Sequence, residues 1–221
     1  AFAKTVDGER MVRLAGEAPA TSLVPDGIPG GGDEDFRPTY DPAEAQRLLA
    51  DWRADNPTGP SAAPSTLDGI ALVSNGYGYE VAVADQLEEN LGVDVRVEAM
   101  DFAEYLALRN TEHAPRFWTI SWSADYPHAH DFLGLLLETG STSNEGDWSN
   151  AAYDALIEQA AATDDPAEQA ALYGQAQQIL RDEAPIIPVS YGSQGFALSR
   201  QGLLGALPSG VGYLRFAGLA W

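Results

Sequence analysis

The densest group of residues able to do chemistry is Asp125, His128, His130 and Asp131, set within residues 117–137, FWTISWSADYPHAHDFLGLLL. Trp118, Ile120 and Trp122 alternate with Thr119, Ser121 and Ser123, the period of a strand with one buried face, and predict a strand over 116–123. Asp125-Tyr126-Pro127 stops it, because proline cannot donate to a ladder and pushes the residue before it out of the helical region. From Asp131 onward, Phe132, Leu133, Leu135, Leu136 and Leu137 resume as a helix with a broad apolar face. A carboxylate, Asp125, is thus presented just past a strand's carboxyl end, where open α/β sheets place their ligands. An Asp beside a Pro also commonly stabilises a turn or caps the next helix, and on the residues alone both readings stand.

His128-Ala129-His130 beside Asp131 supplies metal-ligand types, but two imidazoles and a carboxylate on a strand-to-helix loop lack the spacing of a metal site, and no metal or other cofactor is expected. Tyr77 and Tyr79, in Asn75-Gly76-Tyr77-Gly78-Tyr79, sit on the loop after an earlier strand, which can face the same cleft. That loop does not satisfy G-x-G-x-x-G, so it implies no nucleotide. No G-x-S-x-G or H-E-x-x-H stands out, which speaks against an enzyme. The absence of cysteine excludes thiolate chemistry and disulfides.

The positioning elements follow from caps and periodicity. Residues 1–15 read as a short helix with Phe2, Val6, Met11, Val12 and Leu14 inward, and residues 17–40 as an extended loop. Asp41-Pro42-Ala43-Glu44 opens a helix, with Asp as cap, Pro at the first position and Glu placed to reach back. Residues 54–66 form a linker rich in Pro, Ser and Ala. Residues 67–74 and 93–100 read as strands, 80–91 and 102–110 as helices, so strands alternate with helices as in a parallel sheet. Asn150 caps a helix over 151–162, Asp165-Pro166 opens another over 167–182, and 185–189 is a strand flanked by prolines. At 221 residues the chain buries a core without staples, and its net charge of −21, from 33 acids against 12 bases, repels nucleic acid and anionic membranes. No apolar run reaches the roughly 18 residues of a membrane span.

Trp122-Ser123-Ala124-Asp125-Tyr126-Pro127 followed by Asp131-Phe132-Leu133 resembles the W-x-A-D-Y-P…F-L signature of the family 5 extracellular solute-binding proteins, the oligopeptide and dipeptide receptors of ABC importers. Residues 19–25 with Pro29-Gly30, Tyr40 to Leu49, the segment from Asn150 through Ile157, and Ala184-Pro185-Ile186-Ile187-Pro188 match the family in order. The resemblance implies an α/β fold, a lobe of the type II periplasmic-binding-protein class with a mixed, mainly parallel sheet flanked by helices. It implies that residues 1–200 form the C-terminal ligand-binding lobe of a two-lobed receptor, with 201–221 returning toward the other lobe, cut from a longer chain.

By the same resemblance the function is delivery of peptides, or a related small solute, to a membrane ABC permease. The receptor is expected to be extracytoplasmic, lipid-anchored in its full length, monomeric, and without nucleic-acid partners. Solute sensing for a signalling receptor is the alternative, and hydrolysis a weaker one. Asp125 matches the motif residue that receives a peptide's α-ammonium, Trp122 the aromatic that flanks its backbone, and Ser123 contributes through backbone groups; Tyr77 is the fourth candidate. Some relatives place an Arg three residues before the Trp, against a ligand carboxylate; here that residue is Thr119, so a C-terminal anchor is not found.

Overall fold

The computed structural model describes residues 1–15, 18–32, 34–56, 67, 69–76, 78–109, 115–192, 207–208 and 214–215. Chain contacts divide it into two compact units, unit 1 from Ala1–Pro19 and Arg37–Ser121, unit 2 from Ala20–Phe36 and Trp122–Trp221. The chain therefore passes from one to the other between Ser121 and Trp122, at the first residue of the signature.

Unit 1 holds a 3-10 turn (Phe2–Thr5), α1 (Gly8–Ala15), β1 (Ala18–Pro19), α2 (Pro42–Asp55), β2 (Ala71–Ser74), α3 (Glu80–Leu91), β3 (Arg96–Ala99) and α4 (Phe102–Arg109). The Asp41 carboxylate caps α2, accepting the Glu44 N–H at 3.0 Å with Pro42 in the first turn. Glu44 does not reach back as the cap pattern predicts. It turns instead to Arg47, whose Nε and Nη2 both donate to it at 2.7 Å, because a bidentate guanidinium is a stronger partner than one amide. β2 and β3 pair in parallel, Ala71 opposite Arg96 through Ser74 opposite Ala99, with α3 as the crossover. α3 ends where expected, at Gly92 (φ 64°), whose N–H returns to Glu88. Its inner face buries Ala82, Val83, Leu87 and Leu91.

The third strand expected over 116–123 is reduced to a single parallel bridge, Val73 to Trp118. Val73 N–H donates to Phe117 O and Thr119 N–H to Val73 O, each at 3.0 Å, and there the ladder stops. The Tyr105 hydroxyl donates to the Thr119 carbonyl, filling the acceptor that the next rung would need. Thr119, not Trp118 or Ile120, is the buried residue of this stretch.

Unit 2 holds α5 (His130–Leu137), α6 (Ala151–Ala162), α7 (Pro166–Glu183), the two-residue β4 (Ser190–Tyr191), and an antiparallel pair, β5 (Leu207–Pro208) with β6 (Leu214–Arg215). Asn150 accepts the Ala152 and Tyr153 N–H groups and Asp165 those of Ala167 and Glu168, as their positions predict. The helices enclose Phe132, Leu133, Leu136, Leu137, Tyr153, Ile157, Tyr173, Ala176 and Leu180 in one apolar core, each large side chain contributing about 1.5–3 kcal/mol on burial. The Tyr153 hydroxyl enters this core and donates to Leu133 O at 2.8 Å. Residues 185–189 are not a strand. Pro185 and Pro188 have no N–H to give, and the Val189 carbonyl accepts the Ala20 N–H at 3.2 Å.

Candidate functional site

Residues 122–131 form a loop closed by one side chain, Asp131. Its carboxylate is fully buried in the first turn of α5. Oδ2 accepts the Trp122 indole N–H at 2.6 Å, and Oδ1 accepts the Asp125 backbone N–H at 3.2 Å. Among the described residues no Lys or Arg pairs with it. An unpaired buried anion is costly, and here the two N–H donors and the positive end of the helix offset that cost. Trp122 is half-buried and packs against the unit 2 core.

With its backbone N–H committed to Asp131, Asp125 presents its side chain outward. The carboxylate is exposed and receives no hydrogen bond from the described residues, so Asp125 is not the cap of α5. Ser123 is likewise exposed. The loop thus offers a bare anion on a backbone held at two points, an arrangement that suits a positively charged group arriving from solvent. Tyr126 follows; its hydroxyl lies 2.7 Å from His130 Nδ1 and the rings stack at 6.4 Å and 26°. Partial burial, then the charges of Asp131 and Asp125, push the Tyr126 phenol above its ordinary pKa.

The two histidines are used locally. His128 Nδ1 accepts the His130 N–H at 3.2 Å, which leaves the proton on Nε2, 2.9 Å from Gln169 Oε1. Gln169 Nε2 is fixed by Ala160 O at 2.8 Å, so its oxygen faces the imidazole. The His128 ring meets Tyr173 edge-on at 5.8 Å. Among the described residues no group of three His, Cys, Asp or Glu is placed to hold a metal. Ala129 N–H reaches Pro29 O at 2.9 Å, and Gly30 (φ 83°) passes so close that a Cβ there would sit 3.1 Å from the Tyr173 ring and 3.2 Å from Ala129 Cβ. The Pro29-Gly30 step therefore needs glycine for both conformation and room.

Of the four candidates, Trp122, Ser123 and Asp125 lie together in unit 2. Tyr77 lies outside the described residues. Its neighbours Gly76 and Gly78 have φ of 90° and 94°, and Tyr79 is buried at the head of α3. Thr119 is buried, and its hydroxyl has no hydrogen bond among the described residues. The Arg109 guanidinium lies 4.9 Å over the Tyr105 ring. The sequence marked Asp131 only as a metal-ligand type beside the two histidines; its part as the loop's anchor was missed. The available signal was an acid in the first turn of the otherwise apolar HDFLGLLL, a carboxylate that had to find N–H donors if the helix was buried.

The sequence is similar to known proteins over most of its length. The Escherichia coli K12 protein described as a probable deoxycholate-binding periplasmic protein, YgiS, is 32% identical over 85% of this chain and 35% of its own length. The periplasmic murein peptide-binding protein MppA of the same organism is 32% identical over 86% of this chain and 36% of its own. The chain thus spans about a third of these relatives. The solved structure of MppA superposes with a TM-score of 0.72 at 28% identity, covering 86% of this chain and 38% of that one. The substrate-binding domain of an oligopeptide ABC transporter from Bacillus anthracis superposes at 0.76 over 96% of this chain and 42% of that one, at 21% identity, a likeness of fold alone. The sequence model described as bacterial extracellular solute-binding proteins, family 5 Middle, matches residues 1–144, and the chain belongs to that family.

Proposed function

We propose that this chain is the ligand-binding lobe of an extracytoplasmic receptor that hands short peptides to an ABC permease in the membrane. The observation that carries the reading is the exposed Asp125 carboxylate, free of partners among the described residues, on a loop fixed by Asp131. In this reading Asp125 receives the peptide's α-ammonium. The exposed Ser123 backbone and the Trp122 ring border the peptide backbone, and water fills the space around its side chains. The relatives described as binding murein peptide and dipeptides favour a peptide. The receptor binds and releases its ligand unchanged, works as a monomer, and is held at the membrane surface by a lipid in its full length. Residues 1–200 form the lobe, and residues 201–221 lead toward the rest of the receptor.

A second reading keeps the receptor and changes the ligand, since relatives described as binding deoxycholate and heme share a similar level of identity. Calorimetry of the full-length receptor with tri-alanine and with N-acetyl-tri-alanine separates the two. The peptide reading expects binding of the first and loss of the second, because acetylation removes the charge that Asp125 pairs. Desolvated pairs of this kind typically lose about 2–5 kcal/mol when one partner is removed. Equal binding of both peptides would move the ammonium elsewhere, and binding of neither would favour the non-peptide ligand.

A further inference from the structure

We infer that Asp131 is the positioning residue of the ligand loop. It sets ligand affinity without touching the ligand, by holding Trp122 and Asp125 with the two oxygens of one buried carboxylate. The inference rests on the reading of Asp125 as the ligand's counter-charge. Three observations carry it. Asp131 has no exposed surface, so it meets no ligand itself. Its oxygens divide their labour, Oδ2 to the Trp122 indole at 2.6 Å and Oδ1 to the Asp125 amide at 3.2 Å, so two of the three proposed ligand contacts are referred to one atom group. The group is itself anchored: Asp131 N–H donates to His128 O at 3.1 Å, and Phe132 and Leu133, the residues after it, are buried in the core.

The geometry makes a chemical demand that only a carboxylate of this length meets. Both partners are N–H donors, so both oxygens must accept. An amide has one acceptor and one donor, and in Asp131→Asn the NH2 must face either the indole N–H or the Asp125 N–H. One of the two holds is then lost while side-chain volume is kept. The loop carrying Asp125 swings about the surviving hold, and the anion is no longer fixed where the ammonium arrives.

The test uses the full-length receptor labelled with 15N at tryptophan and aspartate, with tri-alanine as the probe ligand. In Asp131→Asn we expect the Trp122 indole and Asp125 amide resonances to move, with the other indole resonances unchanged. Affinity for tri-alanine should fall between about tenfold and a hundredfold, the scale on which groups that orient a ligating residue act. In an Asp125→Asn background the same change should cost clearly less than it does in the wild type, because the anion it positions is gone and only the part that acts through Trp122 remains. A residue with only a structural part would instead give multiplying losses in the double variant. That outcome, or unmoved resonances, or unchanged affinity, overturns the proposal. If tri-alanine does not bind the wild type, the ammonium reading alone fails, and the paired resonances still decide whether Asp131 holds the loop. Should Asp131→Asn not fold, Trp122→Phe removes one donor and keeps a ring; the Asp125 amide resonance should move and affinity fall severalfold, and no change in either would be contrary.

Discussion

Two loops in this molecule are built on the same device and end differently. In unit 1 the chain leaves β2 and enters α3 through residues 75–79, and the buried Glu80 at the start of α3 accepts the Ser74 hydroxyl and, at 2.7 Å, the Gly78 N–H. In unit 2 the chain enters α5 through residues 122–129, and the buried Asp131 accepts the Trp122 indole N–H and the Asp125 N–H. Each is a carboxylate in a helix's first turn that gathers one side-chain donor and one backbone donor from the residues just before it. The first closes on glycines with positive φ, Gly76 and Gly78. The second closes on Asp125 and leaves its charge in solvent. A buried carboxylate at a helix start is thus a general means of fixing a loop, and the residue whose N–H it takes decides whether that loop can carry function.

The comparison breaks first if the helices beneath the loops are unequal supports. Leu133 in α5 and Leu87 in α3 are both fully buried, and truncating either to Ala should cost about 2–5 kcal/mol in denaturant melts. A loss at only one would mean that the two loops do not stand on comparable cores. Next, Glu80→Ala should cost about 1–3 kcal/mol, the price of stranding its donors, and leave ligand affinity within twofold, roughly the limit of additivity for separate sites. A large affinity loss there would give the unit 1 loop a ligand role as well.

A third prediction concerns alkaline pH. Burial, and then the charge of Tyr126, push the Tyr173 phenol up to about 12, and burial raises Tyr153 further. In the unfolded chain these groups ionise near pH 10, so the folded state binds more protons above that pH. Stability from the neutral phenols is complete below about pH 10 and is lost as pH rises through about 12. Melts at pH 9 to 12 should show that fall, and Tyr173→Phe should flatten it. Because the Tyr173 hydroxyl is buried without a hydrogen bond from the described residues, the same variant should be neutral or slightly stabilising at pH 7. A marked loss at pH 7 would reveal a partner for that hydroxyl.

The smallest effect is at Gly134. A Cβ there would lie 2.6–2.9 Å from three atoms of the His130 imidazole, which must then rotate away from the Tyr126 hydroxyl. Gly134→Ala gains up to about 1 kcal/mol of helix propensity, so net stability should change little while the His130 ring resonances move. Unmoved resonances would show that the Tyr126–His130 pair yields without separating.

What the sequence made legible was local. Asp41, Asn150 and Asp165 cap where their types predict, and α3 begins and ends at the expected residues, because a cap and a helix stop are decided within four residues. Pairing across the chain was less legible. The 116–123 segment alternates like a strand, yet a hydroxyl from Tyr105 takes the Thr119 carbonyl and the ladder ends. The 185–189 segment is apolar enough for a strand, but the prolines at 185 and 188 remove two of its donors. Asp125 could be singled out from the turn and the motif. The anchoring part of Asp131 could not, because it depends on an indole nine residues away that only the folded loop brings to it.

The central claim is tested most directly by denaturing the purified full-length receptor and weighing the small molecules it releases, for the wild type and for Asp125→Asn. The account predicts a set of short peptides from the wild type that is absent from the variant. The same ligands from both proteins, or a wild-type set without a free α-ammonium, would contradict it.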